Sequence, residues 1–445
     1  MKIVIAGAGS VGTHLATLLS GESQDIILLD ESEERLSSLE SNFDLLTVVA
    51  SPTSIRDLDT AQVGTADLFV AVTPDESRNI LSCQLAHYLG AKKTVARIDH
   101  YEFQTAKNMN FFKSTGIDSL IYPELLAALE ILNCLKFSWV RQWWDFSEGA
   151  LVLIGVKIRE NAELCNIPLC HLGTDIPYHI VAIKRDNETL IPSGNDSIEP
   201  GDMVYFMTTK PQIPYIRKIA GKQQHSDIKN VMIMGGSPIA VCTALELSSA
   251  LGIKIIEIDR ERCMQLTEKL DDDVMIINGD GRDLSLLAAE GLSNTSAFVA
   301  LTQNSETNIL ACLAAKRFGV PKTIAQVENL DYITMAERLD ISGVINKKKI
   351  AASHIYQLML NADVSNVKCL TFANADVAEF IVAEGAKITK NLIKDVRLPH
   401  GVTIGGLIRG DVGMLVTGAS RIQAGDHVVV FCLGGMIKGI ERYFT

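Results

Sequence analysis

The feature that most constrains the fold of this chain is an internal sequence repeat, in which the second half resembles the first. The segment Ala71–Leu81 corresponds to Ala300–Leu310, an offset of 229 (300 minus 71), and the match continues without a gap to Ala96 and Ala325. A later pair is Ile191–Asp202 and Leu415–Asp426, with an offset of 224 (415 minus 191). Both matches occur in the same order in each half, so each half of the 445 residues is predicted to hold two successive modules.

The first module of each half alternates short apolar runs with stretches of helical spacing. In the first half, the apolar runs are Lys2–Ala6, Ile26–Leu29, Leu45–Val49, Asp67–Val72 and Thr94–Ile98. Helical spacing follows the first two runs, at Val11–Ser20 and Glu33–Phe43. Strands that are apolar throughout and joined by helices indicate a parallel sheet covered on both faces. The predicted fold class is therefore α/β, with two Rossmann-like doubly wound domains.

The second modules have shorter apolar runs divided by turns such as Pro192–Asn195 and Glu199–Asp202, typical of a small α+β module of about 70 residues. An apolar helix is predicted over Ile121–Phe137, between the two modules of the first half. The expected domains are 1–120 (first Rossmann domain), 121–145 (crossover helix region), 146–218 (first C-terminal module), 228–345 (second Rossmann-like domain), 346–372 (second crossover helix region) and 373–445 (second C-terminal module).

A glycine loop, Gly7–Gly12, separates the first apolar run from the first predicted helix. Its glycines are Gly7, Gly9 and Gly12. The first allows a tight turn, the second lets the backbone approach a diphosphate, and the third permits close packing of helix on strand. Asp30 ends the second run, where a carboxylate accepts hydrogen bonds from a ribose diol and repels a 2′-phosphate. The alternative is a tight turn beside an empty crevice. The pattern favours NAD(H) over NADP.

The second half departs from this pattern. Its loop reads Gly235, Gly236, Ser237, Pro238, Ile239, Ala240, so a side chain replaces the second glycine and Pro238 removes an N–H donor. Asp259, which the offset of 229 pairs with Asp30, is expected to be the counterpart of that acid. The alternatives for this half are a dinucleotide site and a site for a different ligand or a different binding geometry.

Further polar residues follow other apolar runs and are predicted to line the crevices. Thr73 and Thr302 follow the fourth run of each half, and Arg97 follows the fifth run of the first half. Gly279 and Asp280 follow the third run of the second half. The alternative for Thr73 is the N-cap of the next helix.

The composition excludes several classes of function. Net charge is −12, which disfavours nucleic acid and lipid headgroups as partners. The longest apolar runs are far shorter than a membrane span, and Met1-Lys2 leads directly into the first strand rather than into a signal peptide. Nine scattered cysteines indicate reduced thiols. Cys165, Cys170 and His171 lack a fourth ligand at zinc-like spacing, so no metal is expected.

Taken together, the repeat order, the loop, Asp30 and the Ala71–Asn79 segment resemble the TrkA family, whose members carry tandem regulator-of-potassium-conductance (RCK) domains. That resemblance implies nucleotide-contact positions in both halves, and these are Gly7, Ala8, Gly9, Ser10, Val11, Asp30, Thr73, Pro74 and Arg97, and then Gly236, Ser237, Pro238, Ile239, Asp259, Gly279, Asp280 and Thr302. It implies NAD+ or NADH as the ligand, with ATP or ADP as the alternative.

The resemblance also implies a regulatory subunit rather than an enzyme. Members of the family form a homo-oligomeric ring, expected here to be a tetramer, beneath a membrane-embedded potassium transporter subunit of the TrkH or TrkG type. The chain is thus expected in the cytoplasm, peripheral to the inner membrane through that partner. A subunit that gates a potassium efflux channel is the main alternative.

An NAD-dependent dehydrogenase is the competing class of function. It needs a proton-transfer group in a substrate domain, whereas His171 and His179 have no counterparts at Asp395 and Thr403. The tryptophans Trp139, Trp143 and Trp144 are close together in sequence. We expect them either to pack between protomers or against the partner, or to belong to the chain's own core.

Overall fold

A computed structural model describes residues 1–20, 25–40, 45–173, 176–186, 188–247, 251–359, 364–369, 375–433 and 436–445. They form two compact units, Met1–Leu129 with Ile345–Met359, and Glu130–Val344 with the described residues from 364 onward. Among these residues, we find no helix with the length and apolar character that crossing a bilayer requires.

The first Rossmann domain is a six-stranded parallel sheet with strand order β3-β2-β1-β4-β5-β6. Its elements are β1 (Lys2–Ala6), α1 (Ser10–Ser20), β2 (Asp25–Asp30), α2 (Glu33–Glu40), β3 (Leu46–Val49), α3 (Ile55–Thr60), β4 (Leu68–Ala71), α4 (Glu76–Leu89), β5 (Thr94–Arg97), α5 (Ala106–Ser114) and β6 (Ser119–Ile121). The predicted fold is confirmed. The end of the helix predicted over Glu33–Phe43, beyond Glu40, lies outside the described residues.

The second Rossmann domain repeats this arrangement with strand order β14-β13-β12-β15-β16-β17. Its elements are β12 (Asn230–Met234), α8 (Pro238–Leu247), β13 (Gly252–Glu257), α9 (Arg260–Lys269), β14 (Val274–Asn278), α10 (Leu284–Ala289), β15 (Ala297–Ala300), α11 (Ser305–Arg317), β16 (Lys322–Gln326), α12 (Leu330–Arg338) and β17 (Gly343–Ile345). The central strands β12 and β15 are almost wholly buried, as their unbroken apolar sequences predict.

Each C-terminal module is built on a five-stranded antiparallel sheet, with orders β10-β9-β11-β8-β7 and β18-β19-β22-β20-β21. The elements are β7 (Gln142–Phe146), β8 (Leu151–Lys157), β9 (Tyr178–Arg185), β10 (Glu188–Leu190), β11 (Met203–Thr208) and α7 (Ile213–Ile219), then β18 (Val364–Cys369), β19 (Ala375–Ile381), β20 (Val402–Arg409), β21 (Val412–Leu415), β22 (His427–Leu433) and α14 (Ile437–Glu441). The boundary predicted between residues 372 and 373 lies outside the described residues.

The two predicted crossover helices are present as α6 (Pro123–Leu135) and α13 (Lys347–Met359). Within the first unit, α13 packs against α1, although it follows the second Rossmann domain in sequence. Lys347 Nζ donates to Glu124 Oε1 on α6 at 2.8 Å. Within the second unit, Lys322 Nζ on β16 donates to the carbonyl of Val140, just after α6. Helical periodicity alone does not predict that α13 packs against the first Rossmann domain or that the segment after α6 contacts the second.

The three tryptophans belong to the core of their own chain. Trp139 and Trp143 lie in the apolar core of the first C-terminal module. Trp144 lies in a second core that both C-terminal modules share, together with Tyr205, Val377 and Phe431. Each tryptophan is at most 4% exposed, so the prediction that they pack between protomers or against a partner is wrong, and their burial within the chain is confirmed.

Candidate functional site

The predicted site residues of the first half converge on one edge of its parallel sheet. The carboxyl ends of all six parallel strands point to this edge, and the strand order reverses between β1 and β4. Open α/β sheets bind ligands at such a switch point. The loop after β1, Asp30 at the end of β2, Thr73 after β4 and Arg97 at the end of β5 all lie there.

The glycine loop is tied to Asp30 by a direct hydrogen bond. The amide of Ala8 donates to Asp30 Oδ2 at 2.7 Å, and the amide of Ser32 donates to Oδ1 at 2.9 Å. Arg35 Nη1 lies 3.8 Å from the same carboxylate. Each carboxylate oxygen offers two lone-pair directions, so Asp30 retains acceptor capacity for hydroxyl groups beside the loop.

Thr73 is held by a buried asparagine that sequence reasoning did not single out. Asn79 Oδ1 accepts from the amide of Thr73 at 2.8 Å and from its hydroxyl at 2.7 Å. Asn79 Nδ2 donates to the carbonyls of Thr73 and Arg97, both at 3.0 Å. The N-cap of α4 is Asp75, so the alternative that Thr73 caps this helix is wrong.

The loop is open at Gly9, the position at which the sequence predicts that a diphosphate approaches the backbone. A Cβ on Gly9 would meet no atom within 4 Å, whereas a Cβ on Gly12 would lie 1.9 Å from the carbonyl oxygen of Gly7. The N-terminus of α1 presents amides that have no partner within the helix. At the other side of the crevice, Arg97 Nη2 pairs with Asp99 at 2.9 Å, while Arg97 Nε is buried without a hydrogen-bond partner among the described residues. These features fit an anionic ligand.

The corresponding edge of the second Rossmann domain contains a cavity of about 670 Å³. Six of the eight predicted residues of this half line the cavity, and these are Gly236, Ser237, Pro238, Asp259, Asp280 and Thr302. Ile239 is instead buried in the core on α8, and Gly279 donates its amide to the carbonyl of Glu257 at 2.9 Å. A volume of this size falls within the range of small-molecule sites.

The structure corrects the acid assigned to this half. Glu257, the last residue of β13, accepts the amide of Gly236 at 2.6 Å and that of Asp259 at 2.8 Å, just as Asp30 accepts from Ala8 and Ser32. Asp259 lies further along the chain and caps α9. The counterpart of Asp30 is therefore Glu257, and the prediction that it is Asp259 is wrong.

The second crevice differs from the first in its charges as well as in its loop. Pro238 begins α8, a position that proline favours because its missing amide hydrogen is not needed for the helix. Arg262 Nε donates to the carbonyl of Gly236 at 2.8 Å, and Arg282 pairs with Asp280 at 2.7 Å. Arg282 lowers the pKa of Asp280 through this hydrogen bond. Two arginines therefore line this cavity.

Several residues of both crevices were not predicted from the sequence. Asn308 repeats the contacts of Asn79, because it binds the amide of Thr302 at 3.1 Å and the carbonyl of Gln326 at 2.9 Å. Both asparagines lie in the repeated Asn-Ile-Leu segment, which is the signal that could have identified them. Arg262 and Glu257 had only a general signal, their position at or soon after the end of an apolar run.

Comparison with known proteins assigns every module. The TrkA-N domain model matches residues 3–123 and 231–347, and the TrkA-C domain model matches residues 153–221 and 377–445. The Trk system potassium uptake protein TrkA of Haemophilus influenzae is 32% identical over 97% of this chain and 95% of its own length. The protein of the same name from Halomonas elongata is 30% identical over 100% of this chain and 98% of its own.

Solved structures share the fold at much lower identity. The crystal structure of the GsuK RCK domain has a TM-score of 0.62 and 14% identity, and covers 100% of this chain and 94% of that one. The GsuK channel bound to NAD has the same TM-score at 13% identity, covering 100% of this chain and 78% of that one.

Proposed function

The chain belongs to the TrkA family, and on that premise we propose that it is a regulatory subunit which binds NAD+ or NADH and controls a membrane potassium transporter. Its relatives are named as potassium uptake proteins, which favours uptake over the efflux alternative. We place the protein in the cytoplasm, at the inner face of the membrane, where it meets a transporter subunit of the TrkH or TrkG type.

The observation that carries the nucleotide proposal is the bond between Ala8 and Asp30 at the switch point of the first sheet. It brings the helix N-terminus, which suits a diphosphate, next to the acid, which suits a ribose diol. A structural neighbour is described as bound to NAD and another as bound to ADP, which supports the same class of ligand here. NAD(H) is our first choice and ATP or ADP the second.

In the first half, Gly7–Val11 would hold the diphosphate, Asp30 the adenosine ribose, and Thr73, Pro74 and Arg97 the opposite wall. The second cavity would take a ligand through Glu257 and the two arginines rather than through Asp259. Its loop offers fewer amides, because Pro238 has none. We therefore assign the dinucleotide to the first crevice and leave the second to an adenine nucleotide or a differently bound dinucleotide.

The proposed role of the ligand is to shift the protein between two conformations. A ligand does this only if it binds the two conformations with different affinities. A tenfold to hundredfold difference corresponds to about 1.4–2.7 kcal/mol per site. Several sites in a homo-oligomeric ring, which we propose to be a tetramer, would add their effects. No catalytic step is part of this proposal, and His179 Nδ1 lies 3.3 Å from the carbonyl oxygen of Gly405.

The test is a titration of the full-length protein with NADH and NADPH. We expect Asp30→Asn to weaken NADH binding by at least tenfold and to reduce the preference over NADPH, because the charge that repels a 2′-phosphate is gone. Asp259→Asn serves as the matched control, since this residue caps α9 in the other half. Unchanged NADH affinity and unchanged preference in Asp30→Asn would refute the assignment. Sustained oxidation of NADH by a keto acid, or sustained reduction of NAD+ by a hydroxy acid, would refute the regulatory role.

A further inference from the structure

A carboxylate just after α12 faces four cationic side chains within the second unit. Asp340 accepts from Arg141 Nη2 at 2.6 Å, from Lys316 Nζ at 3.1 Å and from Arg159 Nη2, and Lys157 Nζ lies 3.8 Å away. Arg141, Lys157 and Arg159 belong to the first C-terminal module and the segment that leads into it, whereas Asp340 and Lys316 belong to the second Rossmann domain. One negative charge thus faces four positive charges.

A cavity of about 140 Å³ opens beside this cluster. Its charged lining comprises four basic residues, Arg141, Lys157, Lys184 and Arg338, and three acidic ones, Asp186, Glu337 and Asp340. Glu337 is already paired with Lys184 at 2.7 Å. With Arg159 and Lys316 included, six cations surround three carboxylates, so the site carries a surplus of positive charge.

The surplus leaves a donor unsatisfied. Arg141 Nη1 is buried without a hydrogen-bond partner in the part of the chain that the structure describes. A buried donor of this kind is costly unless a ligand or water accepts from it. Burial and then the neighbouring cations lower the pKa of Lys157, and burial followed by Arg159 and Arg141 lowers the pKa of Lys222 to about 8. Burial and the neighbouring cations together outweigh the effect of Asp340 on the pKa of both lysines.

We propose that this cavity binds a compact oxyanion of the phosphate class, held by Arg141, Lys157 and Arg338. Guanidinium and ammonium groups are the usual protein ligands of such anions, and a doubly charged anion would offset most of the surplus. The anion would accept from the unsatisfied nitrogen of Arg141. Because its ligands come from the first C-terminal module and from α12, binding would favour the packed arrangement of these two elements.

The size of the cavity points to a free anion rather than to the phosphate of a nucleotide. Its volume is about one fifth of that of the crevice in the second Rossmann domain, 140 against 670 Å³. An inorganic phosphate fits such a space with a few waters, whereas a whole nucleotide does not fit.

The experiment is a titration of the full-length protein with inorganic phosphate at constant ionic strength, read by calorimetry and by the melting temperature. We expect saturable binding that raises the melting temperature. Lys157→Gln and Arg338→Gln should each weaken phosphate binding by about tenfold, since each removes one charged contact. Lys107→Gln, an exposed lysine on α5, is the charge-matched control and should bind phosphate as the wild type does. Arg338 is also exposed, so its substitution leaves the core intact.

A fourth variant separates an anion site from a merely structural cluster. Asp340 has φ of 61°, a conformation that asparagine also adopts readily, so Asp340→Asn retains the backbone while it removes the competing charge. We expect it to bind phosphate more tightly, and phosphate to restore the melting temperature that the variant loses. Three results would overturn the proposal: no saturable binding, equal stabilisation of every variant, or loss of binding through Arg262→Gln, which would place the anion in the nucleotide crevice. If ADP bound more tightly than phosphate and Arg338→Gln weakened the binding of ADP, the proposal that the ligand is a free anion would be overturned.

Discussion

Two buried asparagines show how single side chains fix the walls of the crevices. Asn79 and Asn308 are both fully buried, and each bonds the loop after the fourth strand of its sheet to the end of the fifth. In this way the backbone of Thr73 and that of Arg97 are held in register, and so are those of Thr302 and Gln326. Asn79 is thus a positioning residue for the first crevice.

Asn79→Ala should lower the free energy of unfolding by about 2–4 kcal/mol, because it leaves several buried backbone groups without partners. It should also weaken NADH binding, because Thr73 and Arg97 lose their common anchor. Asn308→Ala is the matched control, with a similar stability loss measured by urea denaturation and no effect on NADH in the first half. If Asn79→Ala lowered stability alone, its positioning role would be disproved.

Lys322 is a fully buried lysine whose ammonium meets the carbonyl of Val140. Burial lowers its pKa to about 8, whereas an unfolded lysine keeps its proton up to about pH 10.4. Between these values the unfolded chain binds more protons, so this residue makes stability rise with pH, by up to about 1.4 kcal/mol per pH unit. Melting curves from about pH 7.5 to 10 should show this rise in the wild type and a smaller one in Lys322→Met. Parallel curves for the two proteins would contradict the burial of a charged lysine.

The acid of the second half shows what residue spacing fails to determine. Glu257 and Asp259 are near neighbours in sequence, and the offset between the halves changes from 228 at the first strand to 227 at the second and 229 at the fourth. A fixed offset of 229 therefore selected Asp259. Only the strand register, with Asp30 opposite Val49 and Glu257 opposite Asn278, identifies the equivalent residue.

At the scale of elements, the loop and helix that follow β1 depend on two glycines for different reasons. The carbonyl of Gly7 occupies the place of a Cβ on Gly12, so this glycine allows α1 to pack closely against the loop. Gly9 faces open space, so the fold does not require its missing side chain, and the proposed ligand does.

Substituting the two glycines should separate folding from binding. Gly12→Ala should destabilise the first unit by several kcal/mol, since backbone must move to admit the methyl group. Gly9→Ala should leave the melting temperature within about a degree or two of the wild type and yet weaken NADH binding by at least tenfold, because the methyl group enters the proposed diphosphate space. NADH binding of normal strength in Gly9→Ala would contradict the proposed pose.

Elements were predicted well where burial dictates the pattern. The inner parallel strands β1 and β4 are apolar because both of their faces are covered, and their bounds lie close to those of the apolar runs in the sequence. The cap of α4 was not predicted, because Thr73 and Asp75 are both good N-cap residues and only the backbone decides between them. The packing of α13 on α1 is a long-range contact, and periodicity predicts that a helix face is buried but not which element covers it.

At the scale of the whole molecule, the repeat predicts four modules, and the TrkA-N and TrkA-C domain models match four segments of the chain. The mutual packing of the two C-terminal sheets was not foreseen, although one of the three tryptophans, Trp144, belongs to the core that they share. The sequence left both alternatives for the tryptophans, because a cluster of large apolar residues has the same sequence signature in a core and at an interface between subunits.

The proposed ring requires surfaces that remain apolar in the single chain. Leu81 on α4 and Leu310 on α11 correspond in the repeat and are 44% and 66% exposed. Tyr88, further along α4, is 79% exposed. Such residues at equivalent helices of both halves suit contacts between copies of the chain.

The double variant Leu81→Asp/Leu310→Asp should dissociate the assembly, because burying two carboxylates at each contact is strongly unfavourable. Light scattering should then fall from four chains of 48.5 kDa towards one. Val412→Asp, at an exposed position on β21, is the control and should keep the wild-type mass. A wild-type mass of a single chain, or an unaltered mass in the double variant, would rule out this mode of assembly.

We propose that a nucleotide in the first crevice controls potassium transport. The most direct test is potassium uptake into vesicles that contain the membrane subunit and the purified protein, with and without NADH. We predict that NADH changes the uptake rate with wild-type protein and with the control variant Lys107→Gln, and that this change disappears with Asp30→Asn. An equal response to NADH in Asp30→Asn and wild type, or no response in the wild type, would contradict control by this nucleotide.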